Sequence, residues 1–230
     1  MQTRRAVLIS ALLLGAARVA AADSAGAFEA RCASALQPVF TINTIQPAYQ
    51  VDNTVSTRVL HNRSMHNHSS DLMLGMTAVV SRIELGIDGR ALRDPASGRE
   101  CLAPQIDIEL RYQPLRVYVA REFSPVGCPF REVLAHELRH VQLYLDHLPK
   151  VEALLRSALE RRYRGTLVYS DGGEALEVLQ KQVDDWLWPL IKAEMRKVEL
   201  YQAALDTEEE SYRLSAACQG ELAYNLKNNY

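Results

Sequence analysis

The segment REVLAHELRH, residues 131–140, holds residue types that could bind and use a metal ion. On an α-helix, residues four apart lie on one face about one turn along, so His136 and His140 can reach the same ion. Neutral imidazole is a favoured zinc ligand, and a catalytic zinc has three protein ligands and one position open to water. Glu137 follows the first histidine and can take a proton from that water. The spacing predicts Zn²⁺ as cofactor, His136 and His140 as ligands and Glu137 as catalytic base.

The sequence around this segment predicts a helix. Pro129 suits a first helical turn, and apolar residues recur at helical spacing from Val133 to Leu148, before Pro149 ends or kinks the helix. A second helix is predicted over residues 151–162. The pattern is the H-E-x-x-H of metallopeptidases, and the alternative is a pair of histidines on a helix surface.

The third metal ligand is expected on a long C-terminal helix. The sequence predicts this helix from near Glu174 past Tyr212, with Pro189 as a point of bending. Its apolar stripe is interrupted by Glu194 and Glu208. Because a buried carboxylate needs a partner, Glu208 is the first choice for the third ligand and Glu194 the second, and Asp206 and His147 remain open as alternatives.

Four other residues near these motifs have alternative roles. Asp206 lies off the stripe and could hydrogen-bond a ligating histidine. His147 is about 10 Å along the helix from His140, so a helix-end role near the dipole is favoured. Either Asp206 or His147 as a fourth ligand would indicate a closed, non-catalytic site. Tyr212 or Tyr144 could stabilise an oxyanion.

The distribution of patterns along the chain predicts an α+β fold, with a small antiparallel sheet in the N-terminal half and a helical half after it. The helical half carries the H-E-x-x-H helix and the long C-terminal helix. Residues 93–100 are predicted to form a loop. Four segments before residue 127 are predicted to be strands, at 39–51, 77–89 with a turn at its end, 106–112 and 115–123. The last of these could border the site as a sheet edge and pair with an extended peptide.

The N-terminal residues 1–22 resemble an export signal. Arg4 and Arg5 precede an apolar run over residues 6–15, which is too short to span a bilayer, and a small-residue cleavage pattern ends at Ala22. An uncut membrane anchor is the alternative. Residues 23–230 are then expected to form a single domain of a periplasmic or secreted protein, with no membrane span after cleavage.

The composition limits the kinds of partner. With 48% hydrophobic residues, 23% charged residues and a net charge of −2, the chain has neither the basic excess of a nucleic-acid-binding protein nor a disordered composition. A peptide or protein substrate, including a cell-wall peptide, is the expected partner.

Four cysteines follow the expected cleavage point, which in an oxidising compartment predicts two disulfides. Three pairings exist, and Cys101–Cys128 with Cys32–Cys218 is the favoured one. Zinc binding by cysteine is disfavoured because no pair has the C-x-x-C spacing.

A second metal site is a weaker alternative in the segment HNRSMHNH. His61, His66 and His68 lie within eight residues there, but the segment is rich in Asn and Ser and is predicted to be a loop.

The segment HELRHVQLY, followed later by LDTEEESY, resembles a family of bacterial secreted zinc-dependent proteases. The resemblance covers the chain from about Ala48 to Tyr212. In that family's acidic segment, Asp206 and Glu208 match the acidic positions, whereas Glu209 replaces a threonine and Ser211 a histidine. The chain is more broadly similar to gluzincin-type metallopeptidases, whose third ligand is a glutamate on a later helix.

These patterns together predict an exported zinc-dependent peptidase that hydrolyses peptide bonds with a metal-bound water. A cell-wall amide hydrolase is one alternative. A non-catalytic zinc-bound binding or structural module of the envelope is the other.

Overall fold

A computed structural model describes residues 26–46, 48–63 and 73–228. The predicted export signal lies outside the described residues, as do His66 and His68, so the signal and the second metal site stay predictions. No helix in the described part of the chain is long and apolar enough to cross a bilayer.

The described chain alternates strands and helices in its first half and is mainly helical after residue 127. A first helix, α1, covers residues 26–35. The elements that follow are β1 (Val39–Ile45), β2 (Tyr49–Asp52), α2 (Thr57–Arg63), β3 (Gly75–Arg93), β4 (Arg99–Val119), α3 (Cys128–Tyr163), β5 (Val168–Asp171), α4 (Ala175–Gln182), a π-helical turn (Val183–Leu187), α5 (Trp188–Ala203), α6 (Glu208–Ala216), a 3-10 turn (Ala217–Gly220) and α7 (Glu221–Asn228).

The five strands form one sheet in which β4 pairs with all four others. β2 runs parallel to β4, with Tyr49 opposite Leu115, and β5 runs antiparallel to it. The α+β class is confirmed, but the sheet is mixed rather than antiparallel. The chain returns from β2 to β4 through α2 and β3 instead of a tight hairpin, which allows the parallel pairing. The expectation that residues 115–123 form a free sheet edge is wrong, because β4 is the shared strand.

The β3–β4 hairpin turns later than predicted. The sequence placed a turn at Asp88 and Gly89, but β3 continues to Arg93 and the chain reverses over the predicted loop, where Asp94 and Gly98 are hydrogen-bonded. A Cβ on Gly89 would lie 2.5 Å from the Leu102 side chain. Gly89 therefore permits a close approach of neighbouring strands rather than a turn.

The chain divides into two compact units, and the first combines the described residues up to Phe40 with Ile87–Ile106 and Leu159–Val183. Its core includes residues from α1, β4 and the segment before β5, namely Phe28, Cys32, Leu36, Cys101, Ala103 and Leu167. The Cys32–Cys101 disulfide lies in this core.

The second unit combines Thr41–Gly86, Asp107–Ala158 and the chain from Asp184 onward, and it contains the predicted metal ligands. Its core fixes one face of α3, where Val141 packs with Leu115 and Val117 of β4. Each fully buried aliphatic side chain contributes about 1.5–3 kcal/mol to folding, so this packing holds the histidine helix against the sheet. The prediction of one mature domain stays a prediction.

Two helix boundaries differ from those predicted. α3 continues through Pro149, because the burial of Leu148 and Val151 on either side favours the unbroken helix. The expected long C-terminal helix is interrupted by the π-helical turn before Pro189. It then ends at Ala203, and Thr207 caps a new helix.

Both disulfides form, but in a different pairing from the favoured one. Cys32 bonds to Cys101, and Cys128 bonds to Cys218. The favoured pairing was wrong because it followed closeness in sequence and a link between chain ends, whereas each bridge joins residues within one compact unit.

Candidate metal centre

Three side chains of the second unit meet around one point. His136 Nε2 and His140 Nε2 lie 3.1 Å and 3.0 Å from Asp206 Oδ1, and 3.1 Å from each other. Both histidines are buried, whereas Asp206 is exposed. This His-His-Asp group can hold a metal ion.

The other predicted ligands lie elsewhere. Glu208 is the first residue of α6 and is exposed, and Glu194 forms an ion pair with Lys197. Neither belongs to the group that could hold a metal, in which the acidic residue is Asp206.

The helix break at residues 204–207 brings Asp206 to the histidines. Thr207 adopts an extended conformation as N-cap of α6, and its side chain accepts a hydrogen bond from the Glu210 backbone N–H. Because the chain leaves the helix at Ala203, the phase of the apolar stripe does not continue to Glu208. Asp206 stands in the turn itself, directly before the cap.

A carboxylate on α6 orients the first histidine. Glu210 Oε1 lies 3.1 Å from His136 Nδ1 and also accepts from Arg139. Arg139 Nη2 approaches the same Nδ1 at 2.9 Å, but a guanidinium can only donate. Glu210 is thus the acceptor shared by both groups, and a proton on Nδ1 leaves the Nε2 lone pair for an ion.

An amide on α5 orients the second histidine. Gln202 Oε1 lies 2.5 Å from His140 Nδ1, and Gln202 Nε2 donates to the His140 carbonyl at 3.1 Å. The amide can accept from Nδ1–H while it holds the backbone of the same residue. His140 therefore presents Nε2 toward Asp206, as His136 does.

Glu137 is buried beside the two histidines, and its carboxyl is held by β3. Thr77 Oγ1 lies 2.8 Å from Glu137 Oε2 and 3.1 Å from the Glu137 carbonyl. A Cβ on Gly75 would lie 2.6 Å from Glu137 Oε1 and 2.7 Å from Val133 Cγ1. The start of β3 can lie this close to α3 only because residue 75 has no side chain.

The acidic groups of the centre have shifted pKa values. Burial raises the pKa of Glu137, against the hydrogen bond from Thr77 and the charges of the two histidines. Burial also disfavours the charged form of Asp206, but hydrogen bonds from His136 and His140 outweigh it and hold the pKa of that carboxyl well below its ordinary value. The carboxylate of Asp206 is therefore ionised at neutral pH, as metal binding requires.

The pKa values of His140 and Glu210 are also shifted by their contacts. Burial lowers the pKa of His140, but its hydrogen bonds to Asp206 and Gln202 outweigh that and leave it raised. The Arg213 guanidinium lowers the pKa of Glu210 to about 2. Glu210 therefore stays charged beside His136.

The donor set and its dimensions fit a zinc-sized ion. A tetrahedral ion with bonds of about 2.0–2.1 Å has ligand atoms about 3.3 Å apart. The three edges of the observed triangle, 3.0–3.1 Å, are close to that separation. Two imidazoles and one carboxylate are a donor set that zinc and other divalent transition metals accept.

The remaining aromatic and histidine candidates lie apart from this group. His147 is buried, with Nδ1 2.8 Å from the Tyr112 hydroxyl, so it is a packed residue of the core. Tyr144 packs edge-on against Tyr112 at 4.9 Å between ring centroids, and Tyr212 is 75% exposed. The oxyanion role of either tyrosine stays a prediction.

Sequence reasoning missed Thr77, Gly75, Gln202 and Glu210, and it ranked Asp206 behind Glu208 and Glu194. One signal could have found Asp206. Thr207 and Glu210 have the T-x-x-E spacing of a capping box, which marks a new helix start and therefore a break just before it. The Thr77 and Gly75 contacts come from a strand far away in sequence and carry no local signal.

No family model matches the chain, and no curated protein or solved structure is significantly similar to it. The resemblance to secreted zinc-dependent proteases therefore stays a prediction. What the geometry establishes is the coarser statement that His136, His140 and Asp206 form a group able to hold a metal.

Proposed function

We propose that the chain is an exported zinc-dependent hydrolase of peptide bonds, with His136, His140 and Asp206 as metal ligands. The observation that carries the proposal is the convergence of both Nε2 atoms on Asp206 Oδ1 beside a buried glutamate. This assignment replaces Glu208 with Asp206 as the third ligand. Three protein ligands leave a further position for water or substrate, whereas a structural zinc site is closed by four.

Glu137 is the proposed general base. A zinc ion held by His136, His140 and Asp206 would polarise a substrate carbonyl and lower the pKa of a water molecule to about 7. Thr77 hydrogen-bonds Oε2 of Glu137, which orients the carboxylate and leaves it with acceptor capacity for a proton. Burial shifts the pKa of the Glu137 carboxyl toward neutral pH. A carboxyl with such a pKa can accept the proton and then donate it to the leaving amine.

The neighbours of the histidines support zinc hydrolysis over other chemistry of the same donor set. Two histidines and a carboxylate also bind non-haem iron. A buried carboxyl beside the first ligand, oriented by its own threonine, is the group that hydrolysis needs for proton transfer. Export is supported by two disulfides, which persist in oxidising compartments.

The test compares zinc-loaded wild-type protein with Glu137→Gln on fluorescent casein and on cross-linked peptidoglycan. The variant is expected to bind the same amount of zinc and to lose hydrolysis by about 100-fold or more. Glu160→Gln, on an exposed part of the same helix, is the matched control and should keep full activity.

Each outcome separates the candidate functions. Cleavage of casein that depends on Glu137 supports a peptidase, and cleavage of peptidoglycan alone indicates a cell-wall amide hydrolase. Zinc binding without turnover on either substrate indicates a binding or structural module. Equal rates for Glu137→Gln and wild type would refute the proposed mechanism.

A further inference from the structure

A disulfide connects the two helices that build the metal centre. Cys128 is the first residue of α3, the helix of His136 and His140, and Cys218 lies in the turn after α6. α6 contributes Glu210 and follows directly on Asp206. The bridge therefore closes a loop that contains every proposed ligand and holds the carboxylate segment against the histidine helix.

The other side-chain contacts of α6 to α3 are polar. Arg213 pairs with Glu132, and both side chains are partly exposed. Glu210 is only 12% exposed, and it pairs with Arg139 and lies 3.1 Å from Nδ1 of the buried His136. Exposed ion pairs contribute little to stability because solvent screens them. Within α6, all of which the structure describes, Leu214 is the one buried residue. The covalent bridge adds to these contacts at the end of α6, where Cys218 also packs in a hydrophobic cluster with Val133 of α3 and Leu222 of α7.

The two disulfides differ in their accessibility. Cys32 and Cys101 are fully buried, whereas Cys128 and Cys218 are only half-buried. Thiol–disulfide exchange requires a thiolate to reach one of the sulfurs, so access decides which bridge reacts first. A thiol reductant is expected to open Cys128–Cys218 before Cys32–Cys101.

The backbone at the second cysteine is held in an unfavourable conformation. Cys218 and Gln219 have φ values of 56° and 58°, in the left-handed region that residues with a Cβ rarely occupy, and Gly220 follows at 81°. Such conformations persist only where the surrounding structure imposes them. Once the bridge is open, Cys218 and Gln219 can relax, and the turn that connects α6 to α7 changes with them.

We propose that the Cys128–Cys218 disulfide places the metal centre under redox control, so that the chain binds its metal tightly only when this bridge is oxidised. The inference rests on the proposed metal site. In the reduction, the thiolate of a dithiol attacks one sulfur to form a mixed disulfide, and its second thiol then closes a ring. Two electrons pass from the dithiol, which becomes a cyclic disulfide, to the bridge, which becomes two thiols. The released α6 then no longer holds Asp206 and Glu210 at the histidines. A peptidase of this design stays unloaded in a reducing compartment and becomes competent after oxidation.

The first test opens the bridge in the native full chain. Oxidised protein is treated with dithiothreitol under native conditions, its free thiols are trapped with iodoacetamide, and mass spectrometry identifies the trapped cysteines. We expect Cys128 and Cys218 to be trapped while Cys32 and Cys101 stay bonded. Zinc affinity, measured by competition with a chromogenic chelator after desalting, should fall by about tenfold or more in the trapped protein.

Two disulfide variants provide the matched comparison. Cys128→Ser/Cys218→Ser should show the same loss of zinc affinity, and Cys32→Ser/Cys101→Ser should bind zinc as wild type does. Circular dichroism checks that each sample is folded. If Cys128→Ser/Cys218→Ser does not fold, the trapped wild-type protein is compared with the oxidised protein instead.

Three results would overturn the inference. Equal zinc affinity before and after trapping refutes only the redox inference, because the oxidised protein still binds zinc as the proposed metal site requires. An equal loss in Cys32→Ser/Cys101→Ser, or global loss of circular dichroism on trapping, shows that the bridge maintains the fold rather than the centre. An oxidised chain that binds no zinc refutes the proposed function, and this inference with it.

Discussion

The hydroxyl of Thr77 and the carboxylate of Glu137, 60 residues apart in sequence, are joined by a hydrogen bond of 2.8 Å. The bond connects β3 to the helix that carries the two histidines. It fixes one oxygen of a carboxyl that burial would otherwise drive toward its neutral form. A group outside the H-E-x-x-H segment therefore sets the orientation of the proposed base.

Replacing Thr77 by valine keeps the side-chain shape and removes the hydroxyl. The pKa of Glu137 should rise further and its orientation should be lost, because the hydrogen bond favours the charged form. Hydrogen bonds to charged groups contribute about 1.5–3 kcal/mol, so kcat should fall by about tenfold to hundredfold while zinc affinity is unchanged.

Peptidase kinetics and zinc titration of Thr77→Val check this prediction. The matched control is Thr44→Val, which removes a similar hydroxyl–carboxylate bond to Glu152 away from the site. Wild-type kcat in Thr77→Val, or an equal loss in Thr44→Val, would contradict the role assigned to Thr77.

A methyl group at residue 75 should disturb both the site and the fold. In Gly75→Ala, the new Cβ would lie 2.6 Å from Glu137 Oε1 and 2.7 Å from Val133 Cγ1, so these side chains or the backbone that carries them must shift. Overpacking of this kind costs about 1–3 kcal/mol, which urea denaturation measures as a lower free energy of unfolding. Hydrolysis should fall as Glu137 is displaced.

Gly86→Ala, in the same strand, is the control for that experiment. Its Cβ would meet Asp107 Cβ at 3.6 Å, an ordinary contact, so stability and activity should be retained. If Gly75→Ala is as stable and active as Gly86→Ala, the close approach of β3 to α3 is not as described.

The buried His147 should make stability depend on pH. Burial lowers the pKa of His147 from its ordinary value of 6.5, so the folded chain takes up this proton less readily than the unfolded chain. Its neutral form stabilises the fold above about pH 6.5, and that contribution is lost as pH falls below 6.5, by at most about 1.4 kcal/mol per pH unit.

Urea denaturation of wild type and His147→Gln, each at pH 7.5 and at lower pH, isolates this contribution. The free energy of unfolding of wild type should fall more steeply with acidification than that of the variant, which cannot take up the proton. Parallel decreases in both proteins would show that His147 does not contribute.

The sequence was sufficient to place His136 and His140 together on one helix face and insufficient to identify the acidic residue beside them. The shared face of His136 and His140 depends only on helix geometry within one turn. α3 covers both residues as predicted, although it continues through Pro149. The choice of Glu208 required helix phase to persist past Ala203, where the chain instead breaks and Thr207 begins another helix. Beyond such a break, a residue that lies off the predicted apolar stripe can lie next to the histidines, as Asp206 does.

Long-range pairings account for the other differences. The parallel pairing of β2 with β4 and the two disulfides depend on which distant segments meet, and four cysteines allow three pairings from sequence alone. Gly75 and Gln202 give no local pattern, because their partners Glu137 and His140 each lie 62 residues away along the chain. The α+β order could be predicted because alternation and helical periodicity are local properties.

The most direct measurement is the zinc content of purified, oxidised protein after dialysis, for wild type, Asp206→Ala and Glu208→Ala side by side. The account predicts about one zinc ion per chain in wild type and in Glu208→Ala, and loss of zinc in folded Asp206→Ala, since three protein ligands hold a catalytic zinc. Full zinc content in Asp206→Ala, or its loss in Glu208→Ala alone, would contradict the assignment of Asp206 as the ligand that completes the centre.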